Sequence, residues 1–575
     1  MFEKALKVLQ EHGVVIKNPF EKVIFGNQTE EKGDTLIIKN IPDGLLYLLN
    51  KDQGKQKTTN SFKHVSTMID LSRNAVMNFK FFQETIIKHA LFGYDEVWLY
   101  MEDTFEVPAE PMFGYLRGKY QKEELIRMVE FASSLGITLI PCVQTLGHMA
   151  QFLRWYSSTK YRDTFDVLKV DSDATYQLIE NIIKTLKEVF KTDKIHVGMD
   201  ETFGLGFGRY YKEKGYKPQP ELFINHLKKV NDICLKHGFN NVYIWSDMFF
   251  RMYSVNEYYY DTSISFEKTF VEQIPENVGL VYWDYYNEDK KIVTKMLENH
   301  LKLKRKVIFA SGTWIWTKLT YDKTKTDKTA LMHIKAAAEN KIEEICFTQW
   351  QDDGSYCDYP SIDVGLFDMS NAIAKNSLDI SVFKTVTGKN YQEEILYDKI
   401  NQINAIPINL LWDDILFGIY KNQRFGTKPE AYNEVILGYQ NYLKVLEKNK
   451  LEAVIYDFAK LILIKLQFRQ NLLANYQNNK PLKELFPLLD ELATQLSRVI
   501  KRFKENWLNR YKINGLEVIE SRLYVFYGRI EDAKYLFEKY DKKEIKELNF
   551  LTEKSLKEPY LSPKFTDTFY TTKVF

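Results

Sequence analysis

Asp200 and Glu201 stand side by side at the end of the segment KIHVGMDET, residues 194–202. Ile195 and Val197 alternate there with His196 and Gly198, the period-two pattern of a short strand with one apolar side. On a continuing strand, adjacent side chains face opposite ways, so neighbouring carboxyls share one pocket only where the backbone turns. Gly204, Gly206 and Gly208 predict that turn. Two carboxyl groups at the carboxyl end of a strand are equipment for acid–base chemistry. A solvated surface turn, the plain reading of Asp95–Glu96, is the alternative.

Such a pair needs a strand with a defined end to position it, and the chain supplies eight candidates. Apolar, β-rich runs recur at 66–70, 97–100, 137–143, 195–197, 241–245, 278–283, 306–310 and 344–348. Between them lie stretches with three-to-four apolar spacing. One is EELIRMVEFASSLG, whose Gly136 fits a helix C-cap; others cover 176–190, 221–237 and 330–340. Strands alternating with helices on this scale predict a (β/α)8 TIM barrel. A doubly wound open sheet is the alternative, but no glycine-rich phosphate loop follows the first run. In a barrel, reactive residues stand just past the strand ends. Asp70 and Arg73 end the first run, Glu102 and Asp103 the second, Gln144 and His148 the third, and Asp200 and Glu201 the fourth. Trp245 and Asp247 end the fifth and Trp283 and Tyr285 the sixth; Trp314 and Trp316 follow the seventh, Trp350 and Asp352 the eighth. Acids and indoles round one rim compose a carbohydrate pocket, where rings stack on sugar faces and carboxylates accept hydroxyl protons.

At 575 residues the chain exceeds one ordinary core, so several domains are expected. Residues 1–60 read as a small α/β packing domain: a helix, short strands at 14–16, 23–25 and 35–38, a helical piece at 45–50, and the polar linker KDQGKQKTTN. The barrel takes residues 61–369. An all-helical domain fills 370–575, with long helices at 451–478 and 482–507; it either packs on the barrel or supports a homodimer. Hydrophobic content of 45% and charged content of 27% are those of a globular protein. A net charge of +2 without a basic run argues against nucleic acid as a partner. No apolar run approaches the roughly 18 residues of a membrane span. The start MFEKALKVLQEHG is a charged amphipathic helix without a signal-peptide core, so a cytoplasmic protein is expected. Cys142, Cys234, Cys346 and Cys357 show neither CxxC pairing nor metal-ligand spacing.

The run H-x-G-x-D-E, here His196, Gly198, Asp200 and Glu201, resembles glycoside hydrolase family 20, the β-N-acetylhexosaminidases. Supporting matches are D-x-x-R at Asp70 and Arg73, the Gly147–His148 pair, and Trp350 with Asp352 in a W-x-D/E pattern. The likeness covers residues 66–358, and the small preceding domain suits the family's layout. It implies an exo-acting enzyme for terminal β-linked N-acetylglucosamine or N-acetylgalactosamine on small glycans, with no metal or organic cofactor. The mechanism implied is retaining, with the substrate's own acetamido oxygen as nucleophile and an oxazolinium intermediate. Ordinary retaining enzymes hold two carboxyls roughly 5–5.5 Å apart across the bond, whereas an adjacent Asp–Glu pair suits a different division of work. Glu201 would act as acid and then base, and Asp200 would hold the acetamido N–H.

By the same resemblance Asp103 and His148 hydrogen-bond toward the acid, Arg73 clamps the 3- and 4-hydroxyls, and Asp352 reads the 4- or 6-hydroxyl. Trp245, Trp283 and Trp350 wall the sugar, with Trp314 or Trp316 a further wall. Tyr285 donates to the acetamido oxygen, with Tyr321 as the second choice. The chain departs from the family at Gln144 and Thr145, where an acid is common, at Asn74 in place of a histidine, and at Asp352 in place of glutamate. These changes touch the sugar-binding rim and leave the reaction class alone. Two other readings are a metal-dependent barrel hydrolase using His148, His196 and Asp200, and a non-catalytic sugar-binding barrel. For His196 itself, inside its strand, bonding to neighbouring backbone is the plain expectation.

Overall fold

The computed structural model describes residues 1–52, 62–374 and 378–553. An amphipathic helix at Phe2–Glu11 leads to a three-stranded sheet of β1 (Lys22–Phe25), β2 (Glu30–Lys32) and β3 (Thr35–Ile38). β3 lies in the middle, parallel to β1 and antiparallel to β2. Residues 14–16, expected as a strand, are irregular because no strand among the described residues meets their backbone groups. The helix expected at 45–50 runs over Ile41–Asp52, because Pro42 in its first turn starts a helix rather than breaking one. Most of the polar run 51–60 lies outside the described residues.

Eight parallel strands then close on themselves: β4 (His64–Asp70), β5 (Glu96–Tyr100), β6 (Thr138–Cys142), β7 (Lys194–His196), β8 (Asn241–Trp245), β9 (Val278–Trp283), β10 (Val307–Gly312) and β11 (Glu344–Gln349). Each pairs with the next, and β11 pairs with β4 from Glu344↔His64 to Gln349↔Ile69, so the barrel has no edge. Helices return the chain between strands, among them Lys122–Ser134, Asp173–Val189, Gln219–Lys236 and Lys323–Glu339. The expected (β/α)8 barrel is therefore present.

Alternation along the strands sorts the barrel interior into layers. In the middle and upper layers sit Met68, Trp98, Tyr100, Ile140, Cys142, Tyr243, Trp245, Val281, Ile308 and Cys346, all buried. The layer nearest the strand starts is ionic. Lys194 pairs with Glu96 and approaches Glu344 at 3.7 Å; Lys306 pairs with Glu344 and donates to Tyr243 Oη at 3.1 Å. These carboxylates are buried, so each needs its ammonium partner. The floor of the barrel is thus closed by cross-linked charges.

Beyond the barrel the described chain is helical. The longest members are Val454–Gln477, Phe486–Arg510 and Leu516–Asp541, packed side by side. Pro487 and a 3-10 turn at Leu482–Leu485 move the start of the second helix later than its apolar pattern suggests. No helix among the described residues is long and apolar enough to cross a membrane. All four cysteines are buried and free.

Candidate active site

β7 ends at His196, and the chain then makes a tight, strained turn. Gly198 (φ +71°), Met199 (φ +73°) and Glu201 (φ +46°) all take left-handed backbone conformations. Such backbone at non-glycine positions persists only where its surroundings fix it, and it collects at functional sites. The turn brings both carboxyl groups into one cleft. The cleft, its open mouth included, spans about 480 Å³, and its lining includes Arg73, His148, Asp200, Glu201, Trp245, Trp283, Tyr285, Trp316, Trp350 and Asp352. Residues from the ends of seven different strands therefore meet at the carboxyl mouth of the barrel.

Asp200 is the deeper of the pair. Its Oδ1 accepts from Gln144 Nε2 at 2.9 Å, and its Oδ2 lies 3.0 Å from His148 Nε2. Gln144 is held in turn: Nε2 also donates to Tyr100 Oη at 3.0 Å, and Oε1 accepts the Met199 N–H at 3.2 Å. Gly198 makes room for this amide, since a Cβ there would stand 1.9 Å from Gln144 Oε1. Burial alone would raise the Asp200 pKa, but the His148 imidazole and the Gln144 amide outweigh it and hold the carboxylate ionised. Burial likewise pulls His148 down, and the Asp200 charge reverses this, lifting the imidazole to about 10. At neutral pH the two are an imidazolium and a carboxylate.

Glu201 is the outer of the pair, with 38% of its side chain exposed. Its Oε2 lies 3.6 Å from His148 Nε2, and its Oε1 lies 3.7 Å from Arg251 Nη2. Its backbone N–H donates to Asp247 Oδ2 at 3.2 Å, and the same oxygen accepts from Arg251 Nε at 3.0 Å. Burial and the Asp200 charge raise Asp247 above the usual carboxylate range. The outer acid is thus fixed at its backbone by Asp247 and flanked by two cations.

The far end of the cleft belongs to Arg73. Its guanidinium lies over the rings of Tyr100 (4.7 Å) and Trp350 (4.9 Å), with Glu102 at 3.3 Å and Asp352 at 4.0 Å. Asp70 anchors the loop that carries it, accepting the backbone N–H of Ser72 and Arg73 with Oδ1 and that of Gln351 with Oδ2. Trp350 meets Tyr100 edge-on at 4.8 Å and Trp245 at 5.9 Å, and Trp283 stacks on Tyr285 at 5.4 Å. One end of the cleft therefore offers cationic and anionic hydrogen-bonding groups, the walls offer flat rings, and the mouth offers a carboxyl pair in two environments.

Residues 100–363 match the family described as glycosyl hydrolase family 20, catalytic domain, and residues 396–565 match the glycoside hydrolase 20C C-terminal domain. The chain belongs to glycoside hydrolase family 20. It is 24% identical over 234 residues to hexosaminidase D of Bos taurus, a match covering 39% of this chain and 62% of that protein. The chain thus spans less than two thirds of that relative's length. Among solved structures, Flavobacterium johnsoniae chitobiase aligns with a TM-score of 0.49 at 14% identity, covering 86% of this chain and 90% of its own. An exo β-N-acetylglucosaminidase from Vibrio harveyi, in complex with N-acetylglucosamine, aligns with a TM-score of 0.47 at 13% identity, covering 70% and 72%.

Two residues expected at the family 20 site stand elsewhere. Asp103 does not line the cleft: its Oδ1 accepts from Arg117 Nε at 2.9 Å and lies 2.9 Å from Nη2, which donates to Ser72 O, and the pair is buried. The cause is local, because Glu102 at φ +38° turns its own side chain inward, toward Arg73 and Tyr100 Oη (3.0 Å). Trp314 sits behind Trp316, stacked on it at 3.9 Å, and it is Trp316 that faces the cleft. Tyr321 packs with its ring close to Gly365, away from the cleft, whereas Tyr285 lines it together with the half-exposed Tyr286. His196 accepts the Gly198 N–H at 3.1 Å with Nδ1, lies between Trp98 and Trp245, and is kept neutral by burial. Arg251 carried no signal of its own beyond its spacing of four from Asp247 on a helical turn.

Proposed function

We propose that the protein is an exo-acting β-N-acetylhexosaminidase that removes terminal β-linked N-acetylglucosamine or N-acetylgalactosamine from small glycans with retention of configuration. The single observation supporting this reading is the unequal carboxyl pair: Asp200 deep, ionised and hydrogen-bonded, Glu201 at the mouth and half-exposed. An ionised Asp200 accepts the acetamido N–H, which turns the carbonyl oxygen toward the anomeric carbon and steadies positive charge as it develops on nitrogen. Glu201 gives its proton to the glycosidic oxygen as that bond breaks, and the acetamido oxygen closes onto the anomeric carbon as an oxazolinium ion. Glu201, now a carboxylate, takes a proton from water as the water opens the ring. His148 lies 3.0 Å from Asp200 and 3.6 Å from Glu201, so one imidazole spans both carboxyls.

The walls obey the same logic. Trp245, Trp283 and Trp350 present rings to the sugar, Tyr285 donates to the acetamido oxygen, and Arg73 with Asp352 receives the 3-, 4- and 6-hydroxyls. Four free, buried cysteines suit a reducing compartment, which supports a cytoplasmic location. The test is to compare chromogenic β-N-acetylglucosaminide, β-N-acetylgalactosaminide and unmodified β-glucoside. The first two are turned over and the third is not; hydrolysis of the plain glucoside at a comparable rate refutes the substrate-assisted step.

One observation favours a second reading: donor atoms of His148, Asp200 and Glu201 lie within 4.8 Å of one another, as metal ligands do. His196 stands apart from this group. Turnover undiminished by a chelator eliminates the metal reading.

A further inference from the structure

The helical region reaches into the barrel rim. Between the helices Phe486–Arg510 and Leu516–Asp541, a short turn runs along the loop after β4. The Asn78 N–H donates to Arg510 O at 2.9 Å, and the Lys512 N–H donates to Val76 O at 2.8 Å. At the centre of this contact is Asn74, the residue after Arg73, fully buried and at φ +135°. Its Nδ2 donates to Gly354 O at 2.9 Å and to Gly515 O at 2.7 Å. Gly354 lies two residues beyond Asp352, and Gly515 opens the last long helix.

One amide group therefore ties together the Arg73 loop, the Asp352 loop and the helical hairpin. Both of its hydrogens are used in a buried place, so a shift of either loop leaves a polar group unpaired. Gly515 has no slack: at φ +97°, an added Cβ would stand 2.5 Å from Asn74 O and 2.7 Å from Asn74 Oδ1. An asparagine at φ +135° is itself strained and stays only because its neighbours over-determine it. Loops are the variable and mobile parts of a barrel, and here the two that carry the far-end groups are pinned by a part of the chain outside it.

We infer that Asn74 and Gly515 are positioning residues that set the spacing of Arg73 and Asp352, and with it the recognition of the sugar's far hydroxyls. The inference rests on the sugar-cleft reading above. It is tested with Asn74→Gly, which deletes the amide but tolerates the backbone, and with Gly515→Ala, which acts from outside the cleft. Both are assayed with 4-nitrophenyl β-N-acetylglucosaminide and its 4-deoxy analogue, alongside the thermal midpoint. Each variant should raise KM for the parent substrate about tenfold, with kcat within about twofold, as expected for lost uniform binding. For the 4-deoxy analogue the loss in kcat/KM should be clearly smaller, about threefold, because one of the hydroxyl contacts being loosened is already missing. Equal losses on both substrates, a fall in kcat that tracks the thermal midpoint with KM unmoved, or wild-type constants throughout would each overturn it. A wild-type protein inert on the parent substrate withdraws the sugar reading and the inference together. If Asn74→Gly does not fold, Gly515→Ala decides.

Discussion

Gly198→Ala should disarm Asp200 without touching it. The new Cβ would stand 1.9 Å from Gln144 Oε1 and 2.5 Å from its Cδ, so the amide must leave. The substitution carries three costs. A left-handed alanine costs about 1 kcal/mol relative to glycine. The charge-assisted bond from Gln144 to Asp200 is worth roughly 1.5–3 kcal/mol, and the Met199 N–H left unpaired costs roughly 1–3 kcal/mol. Because the three share one side chain they overlap, and the expected destabilisation is about 4 kcal/mol. Asp200 then loses the contact that orients it, and kcat should fall about a hundredfold, the scale of a 1 Å misplacement. Gln144→Ala loses the same hydrogen bonds, so the double variant should be about 3 kcal/mol more stable than the sum of the singles implies. Chemical denaturation of the four proteins measures this directly. Additive losses, or a Gly198→Ala protein with wild-type stability and kcat, would refute the packing argument.

Glu201→Gln should abolish hydrolysis of glycosides with poor leaving groups while substrates with good leaving groups keep measurable turnover, read as kcat across a leaving-group series. Asp103→Asn should cost stability, about 3 kcal/mol for weakening a buried pair with Arg117, yet leave kcat near wild type; a collapse of kcat at unchanged stability would return Asp103 to the chemistry. The His148 imidazole is raised from its usual 6.5 to about 10, so its contribution to stability is whole below pH 6.5 and is lost as pH rises through 10. Asp200 is lowered from 3.8, so at the acid end the same pair's contribution is whole above pH 3.8 and is lost as pH falls below it. Thermal midpoints measured from pH 7 to 10.5 should therefore decline in the wild type and lose that slope in Asp200→Asn. A slope preserved in the variant would assign it to another group.

The barrel was legible because each of its strands is a β-rich run bracketed by helical spacing, and because a closed sheet puts every strand end on one rim. His148, Asp200, Trp245, Trp283 and Trp350 meet there for that reason. What alternation does not encode is the backbone past a strand end. Glu102 and Asp103 exchange places through one left-handed residue, and Trp314 and Trp316, two apart, resolve into a hidden ring and a lining one only once the loop is formed. Gln144 and Arg251 escaped assignment for a different reason: their partners, Asp200 and Glu201, lie on another strand's end. Residues 14–16 have strand composition but no strand to pair with among the described residues, and composition alone makes no hydrogen bond.

The buried side chains that fill the barrel beneath the cleft, down to the ion pairs of Lys194, Glu96, Glu344 and Lys306, leave the carboxyl mouth as a doorway shared by whatever enters and leaves. Traffic through it has an order. On the proposed exo-hydrolase reading the leaving group would depart past Glu201 first, and a monosaccharide seated beside Arg73 would have to back out before another glycan end could enter. On that same reading such a site would release the shortened chain after every cut, and accumulated monosaccharide would compete for the seat it had just vacated.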